Sequence, residues 1–410
     1  MAKVFANRII TSIDIGTTKI CVLVAAQLDK DNIEIIGVGK ASSNGLKKGV
    51  VVDVAKTVKS IKIAVKEAEI MSGHTIESAC IGISGAHIKS VNSSGAVPIK
   101  NGQVKSADIL NVLASAKAIP IAEGQQILHV LPQYFLIDGG DRLHDPIGMH
   151  GIRLEVQAHI ITGAITSVQN LVKCCEMAGV KVQDIILEQL ASAAAVLSND
   201  ERHLGVGVID IGGGTADLAL YKNGSIVHTM VLPVAGNHFT NDIAIGLRTT
   251  LGDAERIKKN HGIACYDIFK EDELIEVEEV QGSSKRLVRL SDLVSIIQPR
   301  AQELLSIVHY EIKSKHLSSF VTSGFVITGG GSLLKGMKEL ASNTFDCPVR
   351  IGPPRIGFGI SESLQSPIYA TGYGMLIYAL KKREDSISTI SGPMVKRIFL
   401  RMKSWVSDFF

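Results

Sequence analysis

The chain carries one short pattern twice, IDIGTTKICVLV from Ile13 and IDIGGGTADLAL from Ile209. Asp14 and Asp210 hold the same place in the two copies, 196 residues apart in a chain of 410. In each copy a β-rich run ends at Ile-Asp-Ile-Gly, turns through small residues and returns as a second β-rich run. Repetition at half the chain length marks a duplicated domain, and 410 residues exceed what a single core normally serves. A fold for this chain must therefore place two strand-turn-strand units in two related domains.

Around these units strands alternate with helices, which predicts an α/β architecture. Residues 53–72 have helical periodicity, with Asp53 as N-cap and Gly73 as stop. Residues 85–159 change character, with Gly and Pro turns and one short helical stretch at 106–118, and read as a small α+β module inserted into the first domain. Helices are expected at 166–178, along the Ala-rich stretch up to 198, and at 367–380. Residues 237–311 form a polar, helix-rich lobe with a charged hairpin near 271–290. The expected division is 1–84 with 160–203, the insert 85–159, 204–236 with 312–382, the lobe 237–311, a polar flexible linker 383–394 and a helix 395–410.

Nucleotide phosphates need backbone N–H groups directed into a concavity, and small residues let the chain come close enough to supply them. The turns Gly16-Thr17-Thr18-Lys19 and Gly212-Gly213-Gly214-Thr215 meet that need, and their hydroxyls and the Lys19 ammonium add donors. Asp14 and Asp210, at the strand ends before them, are placed to hold a hydrated Mg²⁺, an ion that keeps several waters and needs only one or two carboxylates. One glycine turn between strands is common; two copies with Asp in the same place are not. A Rossmann fingerprint fails because GxGxxG would need glycine at Asp217, and no GxxxxGK[ST] is present. A third cluster, Gly329-Gly330-Gly331-Ser332, follows a strand and opens a helix with Ser332 as N-cap, a wall for adenine and ribose.

In this order the three clusters resemble the two phosphate loops and the adenosine loop of the actin/Hsp70/hexokinase superfamily. Ala191, Ala194 and Ala195 on one helix, with Ala370, Gly372 and Gly374 on another, resemble its closely crossed connecting helices. Within that superfamily the chain is similar to the bacterial cell-division FtsA family. The similarity lies in DPIGMHGIRLEVQAHIITG (145–163), VAGNHFTNDIA (234–244), DAERIKKNHGIA (253–264), IIQPRAQELL (296–305) and SPIYATGYGML (366–376). With the tail, these stretches span nearly the whole chain.

The resemblance implies an actin-like duplicated two-domain ATPase fold with an inserted subdomain and a C-terminal amphipathic helix, and ATP with Mg²⁺ as ligands. It implies that Glu255 and Lys258 or Lys259 contact adenosine; outside that context they would be a solvated helix pair. Asp210 and Glu188 match positions that contact the attacking water or the metal's shell, although Glu188-Gln189 stands where relatives often carry a Pro-containing pair. Turnover, if it occurs, is expected to be slow. Arg300 matches the surface that receives the C-terminal tail of FtsZ, the tubulin-like division protein, unless it merely caps its own helix. Self-association, and contact of residues 85–159 with other division proteins, are implied as well.

Charge sets the tail apart. Of 43 basic and 40 acidic residues, Lys396, Arg397, Arg401 and Lys403 against Asp408 lie in 395–410, which leaves the other 394 residues at 39 and 39. A neutral body argues against nucleic acid as partner. At 100° per residue, Val395, Ile398, Phe399, Met402, Trp405, Val406, Phe409 and Phe410 fall within an arc of about 140°, and sixteen residues reach roughly 24 Å. That describes a helix lying in an anionic membrane surface rather than spanning it, or docking on the protein's own core. No signal peptide or spanning segment is read, and six scattered cysteines read as reduced thiols, so the expected side is the cytoplasm; the resemblance implies the cytoplasmic face of the cell membrane at the septum. A small-molecule kinase, an Hsp70-like chaperone or a pilus-assembly relative would share the loops, but a kinase would have no use for such a tail.

Overall fold

The computed structural model describes residues 8–29, 32–280, 284–355, 358–359 and 364–387. The tail, with all of its expected membrane-facing and cationic side chains from Val395 to Phe410, and residues 388–394 of the expected linker lie outside them.

The two halves build the same sheet. In the first domain, strands 181–187, 78–83, 9–15, 19–27 and 33–42 lie side by side in that order, with Phe358–Gly359 beyond the last. In the second, the order is 349–351, 325–328, 206–211, 216–222 and 225–232. In both, the first three strands run parallel and the last three form an antiparallel meander. Strands Ile9–Ile15 and Val206–Ile211 are buried almost end to end, without alternation, because helices cover both faces of each sheet. The duplication visible in the sequence is thus a duplication of topology.

Local signals act as expected in the helix Val54–Ser72. The Asp53 carboxylate accepts from the Lys56 N–H at 3.0 Å, and Gly73, at φ 71°, ends the helix by donating to the Glu69 carbonyl. The third glycine cluster behaves differently. Its chain turns through the short 3₁₀ stretch Gly330–Leu333, and the α-helix Met337–Phe345 starts only after Gly336. Ser332 is therefore not a helix N-cap; its hydroxyl donates to the Gly329 carbonyl at 2.7 Å and closes the turn itself. The last helix, Ala370–Ile387, runs beyond the expected end at 380, through the first residues expected as linker.

Helices Glu188–Val196 and Ala370–Ile387 cross between the domains. Gly374 sits directly on the Ala191 carbonyl, where a Cβ would overlap the oxygen. The second-domain lobe packs helices Gly236–Gly246, Leu251–His261 and Leu290–Ser314 with the hairpin Leu274–Glu278 and Lys285–Arg289.

The inserted segment forms a three-stranded antiparallel sheet, Lys89–Pro98, Arg153–Ala164 and Gln125–Ile137, covered by helix Ser106–Ala116 around its own core of Val112, Leu113, Phe135 and Leu154. Its sheet leans on the second domain's strand Ser225–Leu232. Ser90 donates to the Thr229 carbonyl at 3.0 Å, Gln133 to the Ile226 carbonyl at 2.9 Å, and Ser225 to the Gln133 carbonyl at 2.9 Å. Buried His159 lies 2.6 Å from Asn92 Oδ1 and 2.9 Å from Thr229 Oγ1. Burial pushes its pKa down to about 3, so the ring is neutral: Nδ1–H donates to Asn92 and Nε2 accepts from Thr229.

Candidate functional site

The two repeated turns face each other across the domains and touch. In each, the first glycine N–H donates to the carbonyl three residues on, Gly16 to Lys19 at 3.0 Å and Gly212 to Thr215 at 2.9 Å. The hairpin registers match too, Asp14 opposite Cys21 and Asp210 opposite Asp217. Gly213 packs on Thr18 and Gly214 on Thr17 so tightly that a Cβ at either would overlap the threonine side chain. Two Gly/Thr turns brought tip to tip from opposite domains form a clamp suited to a chain of phosphates.

Around the clamp stand four acids. Asp14, Asp210 and Asp217 are buried, and Glu188, at the start of the crossing helix, lies half-buried against Gly82. Burial pushes the Asp14 carboxyl up to about 6, Lys19 opposing, with the Asp210 charge adding to the rise. Burial likewise lifts Asp217 to about 7 and raises Glu188 well above the carboxylate range, where Asp14, Asp217 and Asp210 repel its charged form. Asp210 is raised by burial, against hydrogen bonds from Ser192 and Thr371, the latter at 3.0 Å. Ser84 reaches across from the first domain to Asp217 Oδ1 at 2.7 Å.

Such a set favours a cation. The neighbouring ammonium is Lys19, 3.9 Å from Asp14 Oδ2 and bonded to the Ile368 carbonyl at 2.5 Å. Among the described residues no three acidic, His or Cys groups converge to ligate a bare metal ion. That donor set fits a hydrated Mg²⁺ rather than a closed protein cage.

The expected adenosine side chains lie beside the second turn. Lys258 Nζ is 2.6 Å from Glu255 Oε2 and donates to Thr240 Oγ1 at 2.8 Å and to the Gly236 carbonyl at 3.0 Å. The Gly236 N–H in turn donates to the Gly212 carbonyl, and Asn237 N–H to Gly213. Lys259 is the outer partner of Glu255, at 3.2 Å. From the other side Gly329, at φ 79°, bends the third cluster over Asp210. Arg300 stands apart from the cleft. Its guanidinium grips Asp242 with two bonds, 2.6 and 3.1 Å, and Glu303 with a third.

Two family descriptions match the chain, "Cell division protein FtsA" over residues 207–374 and "SHS2 domain inserted in FTSA" over residues 85–162. The cell division protein FtsA of Pseudomonas aeruginosa is 41% identical over 417 aligned positions, covering 100% of both chains. The chain belongs to the FtsA family. FtsA of Bacillus subtilis is 39% identical over 92% of this chain and 84% of its own length. Solved structures share the fold at 16% identity. A PilM-PilN type IV pilus biogenesis complex gives a TM-score of 0.66 over 90% of this chain and 98% of its own, and MreB5 of Spiroplasma citri bound to ADP gives 0.58 over 94% and 99%. The architecture of this FtsA-family chain is therefore actin-like, with an SHS2 domain inserted in its first half.

Four residues of the site escape a reading of the FtsA-family sequence motifs. Asp217 follows from the register of the second hairpin, which sets it opposite Asp210. Ser84, Ser192 and Thr371 carry no local signal, being 133, 18 and 161 residues from the carboxylates they serve.

Proposed function

We propose that this FtsA-family chain holds ATP with Mg²⁺ between its two domains, self-associates into actin-like filaments, and tethers FtsZ to the cytoplasmic face of the cell membrane at the division septum. The observation that carries the nucleotide reading is the tip-to-tip meeting of the Thr17-Thr18 and Gly213-Gly214 turns amid buried acids. The MreB5 structure that shares the fold contains ADP, which supports it.

In this reading the turn amides of Thr17–Lys19 and Gly213–Thr215, with the Thr17, Thr18 and Thr215 hydroxyls, hold the phosphates, while the Gly16 and Gly212 amides close the turns. Asp14 and Asp210 would hold a hydrated Mg²⁺ through its waters, and the ion's positive charge would offset the negative charge of the phosphates. Glu255 and Lys258, fixed by Thr240, face the ribose, while Gly329–Ser332 backs the base. Glu188 and Asp210 are the groups nearest a hydrolytic water. Burial favours the protonated form of Glu188, which cannot accept a proton from that water. Tight binding with slow turnover is the expected behaviour.

The tether joins two further surfaces. The tail 395–410 lies its apolar arc in an anionic leaflet. The lobe 237–311 receives the acidic FtsZ tail, which displaces Asp242 and Glu303 from Arg300. The SHS2 segment is left for other division proteins.

Calorimetric titration of the full chain with ATP tests the central claim. Binding should require Mg²⁺ and be abolished or greatly weakened in Asp210→Ala. No binding of ATP with Mg²⁺ would overturn it.

A further inference from the structure

The insert is fastened to both domains. On the first-domain side, its Ile88, Leu131 and Ile161 are buried in the same core as Ile81 and Leu187, and the Leu187 N–H donates to His129 Nε2 at 3.1 Å. On the second-domain side, Ser90, Asn92 and Gln133 donate to carbonyls of the strand Ser225–Leu232 and form a seam. The segment leading into the insert starts at the clamp. Ser84, just after strand Ser78–Ile83, donates to Asp217 Oδ1 at 2.7 Å, and six residues later Ser90 donates to the Thr229 carbonyl at 3.0 Å. The two acceptors are close in the second sheet, where Asp217 pairs with Val231 and Ala219 pairs with Thr229. Four residues beyond Leu232, the Gly236 N–H donates to the Gly212 carbonyl of the second turn at 3.0 Å. Clamp and seam are thus joined twice, through 84–90 on one side and 229–236 on the other.

We propose that residues 84–90 are a strap that makes the attachment of the insert to the second domain depend on what the clamp holds, an inference that rests on the nucleotide reading above. Because the insert shares the first domain's core, any parting of the domains about the crossing helices pulls on the bonds from Ser90, Asn92 and Gln133. A ligand gripped by both turns opposes that parting, so its binding free energy also holds the seam. With the clamp empty that contribution is lost, and the seam opens more often. The coupling is reciprocal: loosening the seam weakens the grip on the ligand by the same factor.

Hydrogen exchange of the full chain, with and without ATP–Mg²⁺, tests the strap. ATP–Mg²⁺ at about 100 times its Kd should slow exchange of the clamp peptide 9–27 and of the seam peptide 225–232, the latter by up to about a hundredfold and by more than the insert's own helix 106–116. Without nucleotide, Ser84→Ala should quicken exchange of 225–232 about fivefold, the worth of one net hydrogen bond. In Ser90→Ala/Gln133→Ala, where neither side chain bonds a turn, titration calorimetry should show ATP–Mg²⁺ held at least about threefold more weakly. Protection of 9–27 with no change at 225–232 overturns the strap and leaves the nucleotide reading standing. No protection of 9–27 in the parent overturns that reading and the strap with it. Seam exchange equal in Ser84→Ala and the parent, or unchanged ATP affinity in the seam variant, overturns the strap alone.

Discussion

Gly374 rests on the backbone carbonyl of Ala191, so the two crossing helices touch main chain to main chain where the domains join. A single methyl at this point has nowhere to go, because the obstacle is a peptide oxygen rather than a side-chain tip. Gly374→Ala should therefore cost about 1–3 kcal/mol through overpacking, read as a lower urea midpoint.

The clamp itself can be blocked without touching a charge. Gly213→Val places its branches on Thr18, and the backbone there lacks the positive φ that would strain any side chain. ATP–Mg²⁺ should bind at least about tenfold more weakly, and because the same overlap exists without nucleotide the unfolding midpoint should fall as well, by about 1–3 kcal/mol of overpacking. Titration calorimetry beside urea denaturation separates the two effects.

Asp217 gives the nucleotide-free protein a pH dependence with a definite sign. Its folded pKa, about 7, lies above the ordinary value of 3.8, so the folded state holds the proton more tightly than the unfolded chain. Stability from this group falls as pH rises between those two values and is flat above. Asp217→Asn removes that slope. The stability difference between variant and parent should shift in the variant's favour from pH 4 to pH 7, as read from thermal midpoints.

Glu201 has the opposite sign. Burial would raise its carboxyl, but hydrogen bonds from Arg350 and Ser198 outweigh that and hold it at about 2. Its contribution is present above the unfolded value of 4.5 and lost as pH falls towards 2. Arg350 Nε lies 2.7 Å from Glu201 Oε1 and Nη2 2.8 Å from Oε2, but the pair is partly solvated. Glu201→Gln should destabilise by on the order of 1 kcal/mol at pH 7, and the gap should close in acid denaturation below pH 4.5.

The tail is testable through Trp405, the sole tryptophan. Its emission should shift to the blue with phosphatidylglycerol vesicles and return with high salt. Insensitivity to the vesicles would remove the membrane half of the tether.

What the sequence revealed was what a few neighbouring residues can encode. The paired Ile-Asp-Ile-Gly turns are local, and the hairpin register follows from them. The Asp53 cap and Gly73 stop are equally local. Ser332 misled because a cap is read from order along the chain, while Gly329 at φ 79° turns the chain and delays the helix past Gly336. Ser192 and Thr371 meet at Asp210 only because two helices cross there, and His159 finds Thr229 only because an insert folds back onto another domain. Arg300 reads in sequence as a contact for an acidic tail or a cap of its own helix; neither reading gives its pairing with Asp242, 58 residues away.

The contact of the insert with strand Ser225–Leu232 bears on how copies of this protein can add to one another. That strand is the rim of its sheet, and an open rim invites another chain to continue the ladder. Here the carbonyls of Ile226, Val227 and Thr229 already accept from the side chains of Gln133, Asn92 and Ser90. The rim is sealed by side-chain donors that cannot propagate a ladder. Edge-to-edge strand addition is closed off at this rim, so any joining of one copy to another would have to use a different edge or face.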